Sequence, residues 1–154
     1  MPRWGIGQET VDQYIADRTI EFLRGGDADG GHLLQQAHLT LQTAHSAIFT
    51  DPRNAVALAY DAIRSASEGL LAHQGLRVRS VSGHHAIVGE IVVAQFGSGF
   101  AQFDQWRRRR NELSYASRHN EVATDEADDA VADATDVVNA AQQLLDSGQI
   151  GIWA

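Results

Sequence analysis

The chain has 154 residues, 44% of them hydrophobic, and a formal net charge of −8, which suits one domain with a real core and argues against two. It contains no Cys, so a disulfide framework, a zinc–thiolate site, an iron–sulfur cluster and a thiol nucleophile are all excluded. No stretch approaches the roughly 20 uncharged apolar residues of a membrane span. Positions 1–7 lack the basic-then-apolar layout of a signal peptide, so a soluble, cytoplasmic protein is expected.

A first helix is expected over 9–23, with Val11, Tyr14, Ile15, Ile20, Phe22 and Leu23 as its apolar members, ended by the glycines at 25–26 and 30–31. A second, over 32–49, carries Leu33, Leu34, Ala37, Leu41, Ala44 and Ile48 at spacings of three and four. Asp51 is a good N-cap and Pro52 a good first residue for a third helix over 52–74. Its stripe, Val56, Ala59, Tyr60, Ile63, Ala66, Ser67, Leu70 and Leu71, is the most regular in the chain, and Gly75 supplies its stop before a loop with Arg77 and Arg79.

A fourth helix is expected over 83–96 with Ile87, Val88, Ile91 and Val92; its β-branched residues suit a strand, but a lone strand has nothing to pair with. Gly97-Ser98-Gly99 breaks it, and a fifth helix runs over 100–117. Thr124 is read as the cap of a sixth, over 125–145, with a narrow face of Ala127, Val131, Ala134, Val138, Ala141 and Leu145. Residues 148–154 read as a C-terminal tail docking through Ile150, Ile152 and Trp153, and Trp4 and Trp153 as tail anchors or dimer contacts. The whole chain, 1–154, is therefore read as one all-α domain, an antiparallel bundle of four long helices with one or two extra.

Charge is unevenly placed along this bundle. Up to Arg118 there are 12 basic and 12 acidic residues; beyond it come eight acidic residues and no basic one. The acidic sixth helix is most simply a solvated face, with pairing to the arginine run as the alternative. That run, Arg107-Arg108-Arg109-Arg110, is a local anion-binding candidate inside an acidic protein. At 100° per residue from Phe103, Arg110 falls at roughly 340° and Trp106 at roughly 300°, which puts Arg110 in the middle of the apolar stripe. Arg107, at roughly 40°, lies at its edge, and Asn111 and Tyr115, at roughly 80° and 120°, extend that side as a polar strip. Arg108 and Glu112 face the other way, toward solvent. A guanidinium among core-facing positions needs a partner, because an unpaired buried charge is expensive. Two partners stay open: an internal carboxylate such as Asp61 or Glu68, or a phosphate in a cleft or subunit interface, gripped by Arg107, Arg110 and Asn111.

The stretch Phe103-Asp104-Gln105-Trp106-Arg107-Arg108-Arg109-Arg110-Asn111-Glu112-Leu113-Ser114-Tyr115, late in a helical bundle, resembles the signature helix of the HEPN (higher eukaryotes and prokaryotes nucleotide-binding) superfamily. RNase members of that family carry an Arg, four to six residues, then a His, often with a polar residue directly after the Arg. The third-helix stretch from Ala59 to Gly75 is similar to the long core helix and turn of bacterial HEPN proteins. The resemblance implies a homodimer, with RNA or a nucleotide as ligand, no metal and no cofactor. It also implies a bacterial stress, defence or toxin–antitoxin setting with a cognate partner protein. Arg110 matches the motif Arg and Asn111 the polar residue after it, so Arg107, Arg110, Asn111 and Tyr115 become the expected ligand-binding set, and Arg110 and Tyr115 the candidates for catalysis. Tyr115 stands where the motif has His. Metal-independent cleavage by a ribose 2′-hydroxyl needs a proton acceptor that titrates near neutrality, which a phenol with pKa of about 10 does not. His119, nine positions after Arg110, is too far along the chain to replace it. Binding without full RNase activity is therefore expected, with an active metal-independent endoribonuclease or a purely structural protein–protein interaction module as alternatives.

Other constellations are weaker. His38 and His45 share a helical face at i, i+7, about 10 Å apart, too far to share one metal ion. His84-His85 stand near the start of the fourth helix without a matching Glu-x-x-His pair. The glycine clusters fit turns, not a phosphate-cradling loop.

Overall fold

The computed structural model describes residues 3–115 and 121–153. His119 and the expected end of the fifth helix at Ser117 lie outside the described residues, as does Ala154 of the tail. The fold is an all-α helical bundle: α1 (Gln8–Ala16), α2 (Gly31–Ala47), α3 (Pro52–His73), α4 (His84–Phe96), α5 (Gln102–Leu113) and α6 (Thr124–Asp146), with a minor two-stranded sheet of β1 (Ile20–Phe22) and β2 (Leu76–Val78). Three helices are long, α2, α3 and α6 at 17, 22 and 23 residues, where four were expected.

The helix expected over 9–23 is split. α1 stops at Ala16, Arg18 turns the chain with a left-handed φ of 60°, and Ile20, Glu21 and Phe22 pair antiparallel with Val78, Arg77 and Leu76. The loop expected to hold Arg77 and Arg79 is thus the partner strand. Alternating Ile20 and Phe22 suit a strand, but the local pattern does not show a partner that arrives only after α3.

α3 is the central element, packed against α2, α6, α5 and α4. Its N-terminus forms as its sequence dictates: Asp51 Oδ1 accepts from the Asn54 N–H at 3.2 Å and Pro52 opens the first turn. Ala55, Val56, Ala59, Tyr60, Ile63, Ala66, Leu70 and Leu71 are all buried. α6 meets it with a face of small residues, Ala127, Ala130, Ala134 and Ala141 among Val131, Val137 and Val138. Thr124 is the first residue inside α6 and not its cap; Ala123 precedes it and offers no side-chain oxygen. α5 is shorter than expected: Phe100 belongs to a tight turn and the helix ends at Leu113.

Both tryptophans near the termini are anchors within the chain. Trp4 donates its indole N–H to the Gln95 carbonyl at 2.7 Å. Trp153 donates to Asp12 Oδ1 at 3.2 Å, with its backbone N–H on the Gln74 carbonyl at 2.9 Å and the Arg3 guanidinium 4.7 Å above its ring. Ile150 docks with it, whereas Ile152, expected to dock too, is 48% exposed. Among the described residues no helix is long and apolar enough to cross a membrane.

Candidate anion site

The four consecutive arginines of α5 have four different environments. Arg108 is exposed and pairs with Asp104 Oδ2 at 2.8 Å. Arg107 donates through Nε and Nη2 to Asp104 Oδ1 at 3.0 and 2.7 Å. Arg109 is the best neutralised: it reaches Glu126 at 2.6 and 3.3 Å, Glu112 at 2.9 Å and the Glu121 carbonyl at 3.1 Å. Arg110 donates to Ser114 Oγ at 3.1 Å and has no ion pair among the described residues.

Arg110 lies on the buried stripe of α5 but is itself only half-buried. Phe103, Trp106 and Leu113 are the buried positions of α5, and Arg109, to one side of them, is half-buried as well. The stripe spans roughly 280–360° on the wheel used above, which includes Arg110, but Phe103 lies two turns before Arg110 along the helix. Arg110 therefore faces a hollow of about 310 Å³ at the start of α3, bordered by Asp51, Asn54 and Ala57. There Arg53 donates to the Leu113 carbonyl and ties α3 to the end of α5. Neither expected internal carboxylate is Arg110's partner: Glu68 pairs with Arg64 at 3.4 Å, and Asp61 makes no ion pair with it among the described residues.

Beyond this hollow the bundle gathers further basic side chains. α3 contributes Arg64, the first turn of α4 contributes His84 and His85, and α5 contributes Arg107 and Arg110. Burial and then the positive charges of Arg64, His84, Arg110 and Arg107 push the His85 pKa down to about 4, so its imidazole is neutral at pH 7. Tyr60, 1% exposed, lies against this imidazole with ring centroids 6.2 Å apart. Its hydroxyl is buried without a hydrogen-bond partner, and burial pushes its pKa up to about 12 although Arg64 and Arg107 pull it the other way. Arg64 Nε is also buried without a partner. Each such orphaned donor costs about 1–3 kcal/mol. Arginines beside unmet N–H and O–H donors can take up an anion, and a tetrahedral oxyanion offers acceptors enough for several such donors at once.

The cluster depends on a close approach of α4 to α5. A Cβ on Gly89 would come within 2.5 Å of Phe103 Cδ1, so only glycine lets α4 lie this near. Phe103 in turn meets Tyr60 edge-on at 5.6 Å. Packing of three aromatic or small residues thus fixes where the arginines and His85 converge.

Asn111 and Tyr115, expected to continue the Arg107 side, are both exposed, and α5 ends before Tyr115, which leaves the helical line. The residues missed from the sequence are Tyr60, Arg64 and His85. A weaker signal for Arg64 existed: with Tyr60 at zero it falls at roughly 40°, at the edge of an α3 stripe that runs from roughly 240° to 20°. His84 and His85 carry no metal set, since no group of three or more metal-ligating side chains occurs among the described residues. His38 instead meets Gln142 at 3.0 Å. The acidic α6 divides between both expectations: Glu126 and Asp133 reach Arg109 and Trp106, while Asp128, Asp129 and Asp136 face solvent. No protein-family model, no curated protein and no solved structure matches the chain.

Proposed function

We propose that this chain is a HEPN-like helical-bundle protein that binds a phosphate group of RNA or of a nucleotide on the face formed by Arg64, Arg107, Arg110 and His85. The observation that carries this reading is Arg110 itself: half-buried, without an ion pair among the described residues, and close enough to His85 for its charge to act on that imidazole together with those of Arg64 and Arg107. Asn111 and Tyr115 lie at the rim, where they meet a second phosphate or a base. A homodimer, a toxin–antitoxin or defence setting and a cognate partner protein belong to the same proposal and rest on the motif at 103–115.

Anisotropy of a labelled single-stranded RNA tests it. With three phosphate contacts and a slope of about −0.7 per contact, affinity falls roughly twentyfold between 50 and 200 mM salt. Arg110→Ala lowers affinity about tenfold or more, as loss of a charge-assisted hydrogen bond does. Affinity indifferent to that substitution ends the proposal.

A second reading, a metal-independent endoribonuclease, has one candidate group in α4, the His85 imidazole that the charge of Arg110 reaches, although a pKa of about 4 makes it a weak base and not the near-neutral acceptor this chemistry uses. Cleavage of RNA in EDTA that is abolished by His85→Ala supports it, and its absence leaves a binding protein.

A further inference from the structure

Beside the cationic cluster lies a larger hollow, about 700 Å³, enclosed by the start of α2, the middle of α3, β2 and the start of α4. That volume is within the roughly 300–1,000 Å³ of small-molecule sites. Its surface is of three kinds. Arg64 and His84 line it and also belong to the cluster, so hollow and cluster share a wall. Leu33, Leu76 and Val88 make an apolar surface. Asp27 and Asp29 bring carboxylates from the loop before α2.

The position of that loop is fixed by a close contact. A Cβ on Gly30 would meet the Gly69 carbonyl oxygen at 2.0 Å and His73 Cβ at 3.1 Å, so the loop is seated on the Gly69–His73 turn of α3. Those residues follow Arg64 by five and nine positions, about 7.5–13.5 Å along the helix axis. Glu68 meets Arg64 only through Nη1, at 3.4 Å, and leaves the buried Nε unmet, whereas Arg77 holds Glu21 at 2.7 Å and Asp29 Oδ1 accepts from the Gly31 N–H at 2.9 Å. Asp27 makes no ion pair among the described residues. A ligand therefore meets the Arg64 guanidinium and the His84 imidazole at one end, an apolar middle, and hydrogen-bond acceptors at the other.

We propose that this hollow seats a nucleoside monophosphate, its phosphate on Arg64 and His84, its ring against the apolar side chains and an N–H edge on Asp27 and Asp29. The inference rests on the phosphate-binding function above and names its ligand class. Guanine fits this arrangement best, since its ring N–H and amino group lie side by side and a carboxylate accepts from both. The same chemistry arrives either as a free nucleotide or as the phosphorylated terminal nucleotide of an RNA strand.

Calorimetric titration of the full chain with guanosine monophosphate, guanosine, inorganic phosphate and a 3′-phosphorylated trinucleotide ending in G tests it. The monophosphate binds at least tenfold more tightly than guanosine or phosphate. Ser80→Trp, at an exposed position lining the hollow, lowers that affinity at least tenfold while inorganic phosphate binding is unchanged, and Asp27→Ala acts in the same direction. A trinucleotide that binds as the monophosphate does, and is equally lost in Ser80→Trp, assigns the hollow to strand ends; one that does not bind assigns it to the free nucleotide. A monophosphate bound no better than inorganic phosphate, or unaffected by both substitutions, overturns the inference. In that case RNA affinity that still depends on Arg110 leaves the phosphate-binding function standing, whereas RNA affinity indifferent to Arg110 removes both.

Discussion

The Tyr60 ring meets the His85 imidazole at a centroid separation of 6.2 Å and a tilt of 54°, and the Tyr60 hydroxyl beside it has no hydrogen-bond partner. This contact joins the core helix to the first turn of α4, and it is where stability and ligand binding pull apart. A buried donor left unmet destabilises the empty protein, and removing it costs little or nothing. Tyr60→Phe is therefore expected to leave the urea midpoint unchanged to within about 0.5 kcal/mol, or to raise it, while weakening phosphate or RNA affinity. Loss of more than about 1 kcal/mol of stability would show that the hydroxyl is satisfied in the unliganded protein.

His85 makes the protein acid-sensitive. Burial first, then the surrounding cations, depress its folded pKa to about 4 from an ordinary 6.5. The unfolded chain thus binds this proton more readily than the folded one. The sign follows: His85 leaves stability intact above about pH 6.5, and stability is lost as pH falls from there toward about 4, below which both states are protonated. Denaturant midpoints measured at pH 7.5 and 4.5 for the natural chain and His85→Gln check this, the variant losing less on acidification. Saturating phosphate raises the His85 pKa, read as a shift in its imidazole titration by NMR.

The proposed function expects the neighbouring Arg109 and Arg110 to separate into a structural and a ligand-binding role. Arg109 closes α5 onto α6 through a two-oxygen contact with Glu126 and is 18% exposed. Arg109→Ala should cost about 1–2 kcal/mol, between the values of exposed and buried pairs. Arg110→Ala should change stability by less than about 0.5 kcal/mol, with RNA affinity moving in the reverse order. Denaturation and anisotropy on both variants settle the division, and equal effects of the two substitutions on both readouts would refute it.

Gly89 controls the α4–α5 spacing. Gly89→Ala gains about 1 kcal/mol of helix propensity but drives a methyl into Phe103, whose ring is fully buried and cannot yield. Overpacking of about 1–3 kcal/mol should win, lowering Tm. Phosphate affinity falls with it, because His84 and His85 are carried away from Arg107 and Arg110. A Tm unchanged or raised would show that α4 shifts freely and does not hold the cluster in place.

The chain's own sequence determined the all-α class, the extent of α3 from its Asp51 cap to Gly75, the small-residue face of α6 and the presence of an arginine run. Each of these is set by periodicity and end chemistry within a few turns of helix. It also held a clue to Arg64, which borders the α3 stripe next to Tyr60 and Leu71. Tertiary structure alone decided that Arg109 is neutralised and Arg110 is not, that β1 finds β2 across two intervening helices, and that His85 stands over Tyr60. Desolvation and Coulomb attraction act through space and not along the chain, so the state of a charge depends on which helices fold against it.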